Sequence, residues 1–382
     1  MIPSTAASAD SPAARLATRI AFVVAGFGVS AWAPLIPFAK QRLGADDALM
    51  GLLLLCLGGG SVTAMLRTGP LCARYGCKPV VVGSGLAMAV LLPLLALVGT
   101  PWALAVVLLG FGGALGSLDV AMNVHAVEVE RDAGVPLMSG FHAMYSVGGF
   151  VGAAFVTLLL SWGLGPFACT WPCVAIMVAA MAIAAPRLAQ TARVAAGHSL
   201  AWPRGPVVLL AALAAVCFLV EGAMLDWSAL LLTTRGLAAA AQGGLGYAFF
   251  SVAMTAGRFG GDAITGRFGD RATMRWGGVV SVAGFAVLLA GGRLETALAG
   301  FVLIGLGAAN IVPVLFRRAG NVPGTSAAMA VAALTTVGYA GMLMGPAAVG
   351  FVSHLASLPV AFGVLAALMA LIPVCSGRVA VR

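Results

Sequence analysis

Arg74-Tyr75-Gly76-Cys77-Lys78 returns 193 positions later as Arg267-Phe268-Gly269-Asp270-Arg271. Each pentapeptide is a short basic loop between two long apolar runs, the first after the second such run and the second after the eighth. A further echo sets Ser146-Val147-Gly148 against Thr336-Val337-Gly338, an offset of 190. Two related half-chain units are implied. Duplicated helical bundles of this kind favour a solute site at the membrane midplane between the halves, opened alternately to each side by rocking.

Working outward from the two loops, apolar runs account for nearly all of the 382 residues. The apolar set makes up 61% of the chain and charged residues only 9%, against roughly 25% charged in a soluble domain, and mean hydropathy is +1.06. A water-soluble globule is excluded. With about 20 residues needed per helical crossing, twelve spans are predicted, near 19–39, 48–71, 79–99, 102–126, 137–161 and 166–185, then near 206–232, 243–265, 273–291, 296–316, 325–352 and 357–375. The predicted fold class is an all-α membrane protein of twelve transmembrane helices in two pseudo-symmetric six-helix bundles. The expected organisation is a cytoplasmic tail over 1–18, bundles over 19–185 and 206–376, a cytoplasmic connector over 186–205 and a short tail over 377–382. The first 18 residues are Ala/Ser-rich without a signal-peptide pattern. The seven cysteines form no C-x-x-C pair and read as small core residues.

The net charge of +9 has a topological explanation. With the N-terminus inside, fifteen of the 21 Lys and Arg fall on inside loops and tails, four (Lys40, Arg42, Arg235, Arg293) fall outside, and Arg67 and Arg258 remain within spans. Basic residues are retained on the cytoplasmic side, so this bias places the protein in the cell inner membrane with both termini cytoplasmic. Nucleic acid is not an expected partner.

Charges within hydrocarbon cost several kcal/mol and start as functional candidates. In the first half these are Arg67, Asp119 and His142, with Asn123 one turn from Asp119, all at a depth of roughly 8 to 13 Å. One reading has Asp119 take up a proton, His142 tune it and Arg67 neutralise the alternate state; the other is a static Arg–Asp bridge that locks helices together. In the second half Arg258 and Asp262 read as an i,i+4 pair near a cytoplasmic gate. Glu221, at mid-depth with no basic residue near it in its own helix, is assigned to proton coupling with Asp119 and His142, against the alternative of a neutral Glu bonded to a backbone carbonyl. The glycines at 58–60, 112, 113 and 116 suit close helix packing. No P-loop, H-E-x-x-H or nucleophile elbow is present, so no enzyme, cofactor or metal is expected.

The element Gly69-Pro70-Leu71-Cys72-Ala73-Arg74-Tyr75-Gly76-Cys77-Lys78 resembles the signature G-x-x-x-[DE]-[RK]-x-G-[RK]-[RK] that follows the second helix of the major facilitator superfamily. Ala73 stands where that family has an acid and Cys77 where it has the first basic residue of the closing pair. The resemblance implies a cytoplasmic gate around Arg67, Arg74, Lys78, Arg258, Asp262, Arg267 and Arg271, with its acidic latch weaker or built elsewhere. The family's R-x-x-Q-G arginine in span four is missing. Ala31-Trp32-Ala33-Pro34-Leu35-Ile36-Pro37, Leu118-Asp119-Val120-Ala121-Met122-Asn123, Gly140-Phe141-His142 and Glu221-Gly222-Ala223-Met224-Leu225-Asp226-Trp227-Ser228 are similar to the bacterial inner-membrane subgroup typified by YbjJ. In the superfamily spans one, seven and ten line the central cavity, which makes Trp32, Trp227 and Asn310, with Asn123 and Asp226, the expected substrate contacts; the alternative for either Trp is an interfacial belt position. The expectation is secondary active transport of a small organic solute, proton-coupled and by alternating access, by a monomer whose partners are the solute, protons and the lipid bilayer. The alternatives are an uncoupled facilitator or lipid-handling protein, and a membrane sensor or scaffold.

Overall fold

A computed structural model describes residues 11–45, 47–190, 203–238 and 245–379. The first ten residues of the amino-terminal tail, the connector between 191 and 202 and residues 380–382 lie outside the described residues. The helices are α1 (Pro12–Trp32), which runs through a 3-10 turn at Ala33–Leu35 into α2 (Ile36–Leu43), then α3 (Asp47–Tyr75), α4 (Cys77–Leu97), α5 (Pro101–Ala133), α6 (Met138–Ser161) and α7 (Pro166–Ala184). The second series is α8 (Pro206–Thr234), α9 (Leu245–Ala290), α10 (Leu294–Ala308), α11 (Ile311–Gly320), α12 (Ala327–Leu355), α13 (Leu358–Met369) and α14 (Leu371–Val379). Eleven helical runs among the described residues are long and apolar enough to cross a bilayer. One of them, the 46-residue α9, is broken by non-helical backbone at Gly269, which divides it into two arms and brings the crossings to twelve.

Local chemistry sets the ends and breaks. The Ser11 hydroxyl accepts from the Ala14 N–H at 3.1 Å, with Pro12 in the first turn of α1, and proline likewise opens α5, α7 and α8, where its missing N–H is not needed. Pro313 follows the Ala309-Asn310 break between α10 and α11, and Pro373 follows the Ala370 break between α13 and α14. A proline cannot donate to the carbonyl four residues earlier and crowds it, so each apolar run bends there without ending.

The repeated basic loop is a repeated conformation. Gly76 has φ 83° and ψ 160°, and Gly269, 193 positions on, has φ 77° and ψ 165°. This region is essentially closed to residues with a Cβ. Nothing lies within 4 Å of a Cβ added at Gly269, so Gly269→Ala tests the backbone alone. We expect it to cost about 1–3 kcal/mol, read as a lowered thermal midpoint of the detergent-purified protein with unchanged helix content.

Chain contacts divide the protein into two units. Unit 1 comprises residues 1–134, 144–202 and 323–333, and unit 2 comprises 135–143, 203–322 and 334–382. They are not two contiguous blocks, since the first turns of α6 and α12 each cluster with the other unit's helices. In unit 1, α3 meets α5 so closely that a Cβ on Gly112 would stand 1.9 Å from the Leu57 carbonyl oxygen, and the Ser61 hydroxyl donates to the Gly112 carbonyl at 2.8 Å. Small residues at helix crossings allow this approach. Gly148 of α6 faces the Val23 carbonyl of α1 in unit 1, and Gly341 of α12 faces the Ala215 carbonyl of α8 in unit 2. The packing counterpart of Gly148 is therefore Gly341, at the same offset of 193 as the basic loops; the offset of 190 read through Gly338 is three residues out of register.

A second pair at that offset involves two of the four basic residues assigned to the outside. Arg42 donates to the Leu95 and Val98 carbonyls at the end of α4, both at 2.9 Å. Arg235 donates to the Leu288, Leu289 and Gly291 carbonyls at the end of α9, at 2.6, 3.0 and 2.8 Å. The last carbonyls of a helix have no partner within it and carry the negative end of its dipole, so a guanidinium is well suited to closing them.

Candidate functional site

Asp119 is buried on α5 at 7% exposure. Among the described residues its carboxylate has one hydrogen-bond partner, the Asn123 amide at 3.3 Å, and the same amide donates to the Asp119 carbonyl at 2.9 Å. The Asn123 Oδ1 is buried without a partner. Among the described residues no ion pair reaches Asp119. Arg67, expected beside it, is exposed; the α3 residue that turns toward α5 is its neighbour Thr68, whose hydroxyl meets Ser117 at 3.2 Å. One residue is a rotation of about 100° on a helix, which swings Arg67 off the packed face. His142, the third expected member, clusters with unit 2, its ring 5.4 Å from that of Phe316 on α11. Within unit 1 the residues read as a cluster come down to the Asp119–Asn123 pair.

In unit 2 the pairing also differs from expectation. Arg258 of α9 reaches Glu221 of α8, Nη2 to Oε2 at 3.7 Å, with side chains 9% and 27% exposed. Glu221 therefore has a basic partner, supplied by another helix. Asp262, one turn beyond Arg258, directs its carboxylate to the start of α6, accepting from the Ser139 N–H at 2.9 Å and the Gly140 N–H at 2.8 Å. Arg258 and Asp262, read as a pair within one helix, each also engage another helix. Gly140 eases the approach, since a Cβ there would lie 2.8 Å from Asp262 Oδ2 and the carboxylate would have to shift. A helix N-terminus offers unpaired N–H groups and the positive end of its dipole, so a carboxylate bonded to two of them is a strong cap.

Arg74 and Arg267 are exposed and stack on the aromatic residue that follows each, Tyr75 at 5.1 Å and Phe268 at 5.5 Å. Asp270, absent from the sequence-derived site, receives both Arg317 and Arg318 at the end of α11. His125, also missed, closes a chain of bonds in unit 1: its Nε2 accepts from the Ala189 N–H at 3.1 Å, and its Nδ1 meets the Thr18 hydroxyl at 3.1 Å, which donates to the Ala14 carbonyl at 2.8 Å. An accepting Nε2 puts the ring proton on Nδ1, so a neutral imidazole ties α1, α5 and the segment after α7 together.

The expected cavity residues fall into both units. Trp32 in unit 1 is 2% exposed, so it is no belt residue, and its indole N–H is buried without an acceptor. Trp227 in unit 2 packs against α12 near Gly350, and its indole N–H is likewise buried without an acceptor. Asn310, 7% exposed at the α10–α11 break, donates to the Gly257 carbonyl at 3.1 Å and keeps an unpartnered Oδ1. Asp226 is exposed. Among the described residues each unit thus holds one orphaned indole donor and one orphaned amide acceptor.

A profile of the Major Facilitator Superfamily matches residues 19–316. The chain belongs to this superfamily. It is 46% identical over 356 residues to an uncharacterized MFS-type transporter of Yersinia pestis, covering 93% of each chain, and 31% identical to the uncharacterized transporter y4wD of Sinorhizobium fredii, covering 92% of this chain and 95% of the other. Among solved structures, the outward conformation of the superfamily member FucP superposes with a TM-score of 0.78 at 16% identity, covering 97% and 99% of the two chains. The human organic anion transporter MFSD10 superposes with a TM-score of 0.75 at 16% identity, covering 96% and 100%. These likenesses establish the fold, and membership of the superfamily makes the chain a multi-pass membrane transport protein.

Proposed function

We propose that the protein moves a small organic solute by alternating access in exchange for, or together with, a proton, and that Asp119 carries the proton. The observation that carries this reading is a carboxyl group buried at 7% exposure whose hydrogen-bond partner is an amide and which, among the described residues, no cation pairs. An unpaired carboxylate in hydrocarbon costs several kcal/mol, and a bound proton cancels the charge. Glu221 and Arg258, by contrast, neutralise each other and serve as a switchable pair in the second unit. FucP is a fucose:proton symporter, which lends the coupling a precedent on this fold. The orphaned Trp32 and Trp227 N–H groups favour a solute bearing hydrogen-bond acceptors, since an indole can only donate. The four sequence segments around Trp32, Asp119, Gly140 and Glu221 support placement in the YbjJ-like subgroup. The test is a panel of sugars and organic acids added to proteoliposomes holding a pH-sensitive dye. At least one solute should move protons in a protein-dependent manner; solutes that cross without any pH change would leave a facilitator instead.

The gate is proposed to depend on Asp262, which supplies from α9 the acid that Ala73 lacks on α3. Replacing a charged cap of this kind costs about 1–2 kcal/mol, so Asp262→Ala should shift a balanced two-state equilibrium roughly tenfold. Labelling of a cysteine introduced near Asn123 from the cytoplasmic side should rise accordingly, and unchanged labelling would remove Asp262 from the gate. The protein is placed in the inner membrane with both termini inside, on the basic bias. Cysteines introduced at Ala195 and Arg382 should be labelled only from the cytoplasm.

A further inference from the structure

Both arms of α9 and helix α10 leave a groove on unit 2, with a volume of about 620 Å³ beside the Gly269 turn. Phe268 and Trp276, both 62% exposed, flank its mouth, and Thr273 and Asn310 give it a polar edge. Leu306 also lines a second hollow of about 470 Å³, whose walls, including Phe249, Val252 and Val302, are apolar throughout. The two hollows thus share a wall and form one track, polar beside the turn and apolar toward the middle of the helix.

The charges around the polar end have one sign. Arg267, Arg271 and Arg275 are exposed, and each immediately precedes a residue that lines the groove, Phe268, Ala272 or Trp276. Arg271 and Arg275 are one helical turn apart on the stripe next to the one that carries Ala272 and Trp276, and the Arg271 guanidinium rests beside Gly377 of α14, from which it swings to meet a ligand at the groove. The one acid in the turn, Asp270, is already held by Arg317 and Arg318. Among the described residues none of Arg267, Arg271 and Arg275 forms an ion pair. A basic rim above a membrane-facing apolar track, with an exposed tryptophan at the mouth, is the arrangement that holds an anionic lipid by its headgroup and one acyl chain.

We propose that this groove is a binding site for an anionic phospholipid of the leaflet that faces the α9 turn. The phosphate sits on the Arg267, Arg271 and Arg275 rim, Thr273 and Asn310 meet the glycerol region, and an acyl chain lies along Leu306 into the second hollow. The site shares Asn310 with the expected substrate contacts, but the proposal rests on no step of solute movement.

The test uses the full-length protein, stripped of lipid in detergent and examined by native mass spectrometry with phosphatidylglycerol and phosphatidylcholine of matched chains. The native protein should retain one phosphatidylglycerol at least fivefold more strongly than phosphatidylcholine. Arg271→Gln with Arg275→Gln should bring that preference to within twofold, and Leu306→Trp, which fills the shared wall of the track, should reduce binding of both lipids at least fivefold. Ala256→Trp obstructs the second hollow from the other helix and serves if Leu306→Trp does not elute as a monodisperse species. Water-soluble glycerophosphoglycerol should not compete. Equal retention of the two lipids by the native protein, an unchanged preference in the arginine variant, phosphatidylglycerol retained in the folded tryptophan variant, or displacement by the soluble headgroup would each overturn the proposal.

Discussion

Asp119→Asn is expected to leave solute exchange within about threefold of the native rate while abolishing accumulation driven by a proton gradient. The amide matches the carboxyl group in shape and can keep the contact with Asn123, so the packing of α5 survives. It cannot carry a proton. A charge crossing 100 mV releases about 2.3 kcal/mol, which supports a concentration ratio of about 40 for one coupled proton; the variant should equilibrate near a ratio of 1. Paired measurements of exchange and of gradient-driven flux in liposomes separate the two effects. Concentration of solute to the native level by Asp119→Asn would make the residue structural.

Glu221→Gln should act on stability before it acts on coupling. It takes the Glu221 carboxylate away from the Arg258 guanidinium, 9% exposed, and breaking a buried pair from one side costs about 3–5 kcal/mol, with the lower end applying here because Glu221 is itself 27% exposed. We expect a lowered thermal midpoint and loss of both exchange and accumulation. Glu221→Gln combined with Arg258→Gln removes both charges and should recover most of the midpoint, because replacing a whole pair is far less costly than halving it. A single variant as stable as the native protein would show that the pair contributes nothing to the fold.

These two expectations separate two carboxylates that the sequence reading joined in proton coupling, and the separation has a physical cause. Hydropathy and the basic loops report on the bilayer, which acts on every span alike, so the spans and the doubled Gly76 and Gly269 loops were legible residue by residue, whereas the two spans that break before Pro313 and Pro373 were read as continuous. Pairing of charges is decided by which helix stands opposite and by rotation about its axis. Arg67 and Thr68 differ by one position, yet Thr68 faces α5 and Arg67 does not. Glu221 and Arg258 lie on different helices, and nothing in either helix alone announces the other. Asp262 read as the partner of Arg258 because the i,i+4 rule sees one helix; its bonds to the start of α6 become visible only when the two are placed together. The clamps of Arg42 and Arg235 were within reach, since their spacing repeats that of the basic loops, but basic residues on the outer side were counted only as exceptions to the charge bias.

Those two arginines bear on how the chain is made. In the orientation proposed above, each must leave the cytoplasm during synthesis, against the tendency that retains basic residues inside and, at 100 mV, against about 2.3 kcal/mol of membrane potential. Once across, Arg42 binds two carbonyls and Arg235 three, and a return would have to break those charge-assisted bonds together with the helix ends they close. Each clamp therefore works as a pawl on biogenesis. Translocation of the loop after the first helix of a half is made irreversible only when the third helix of that half has arrived, so a ribosome stalled before α4 or before the second arm of α9 would leave the preceding loop free to slip back.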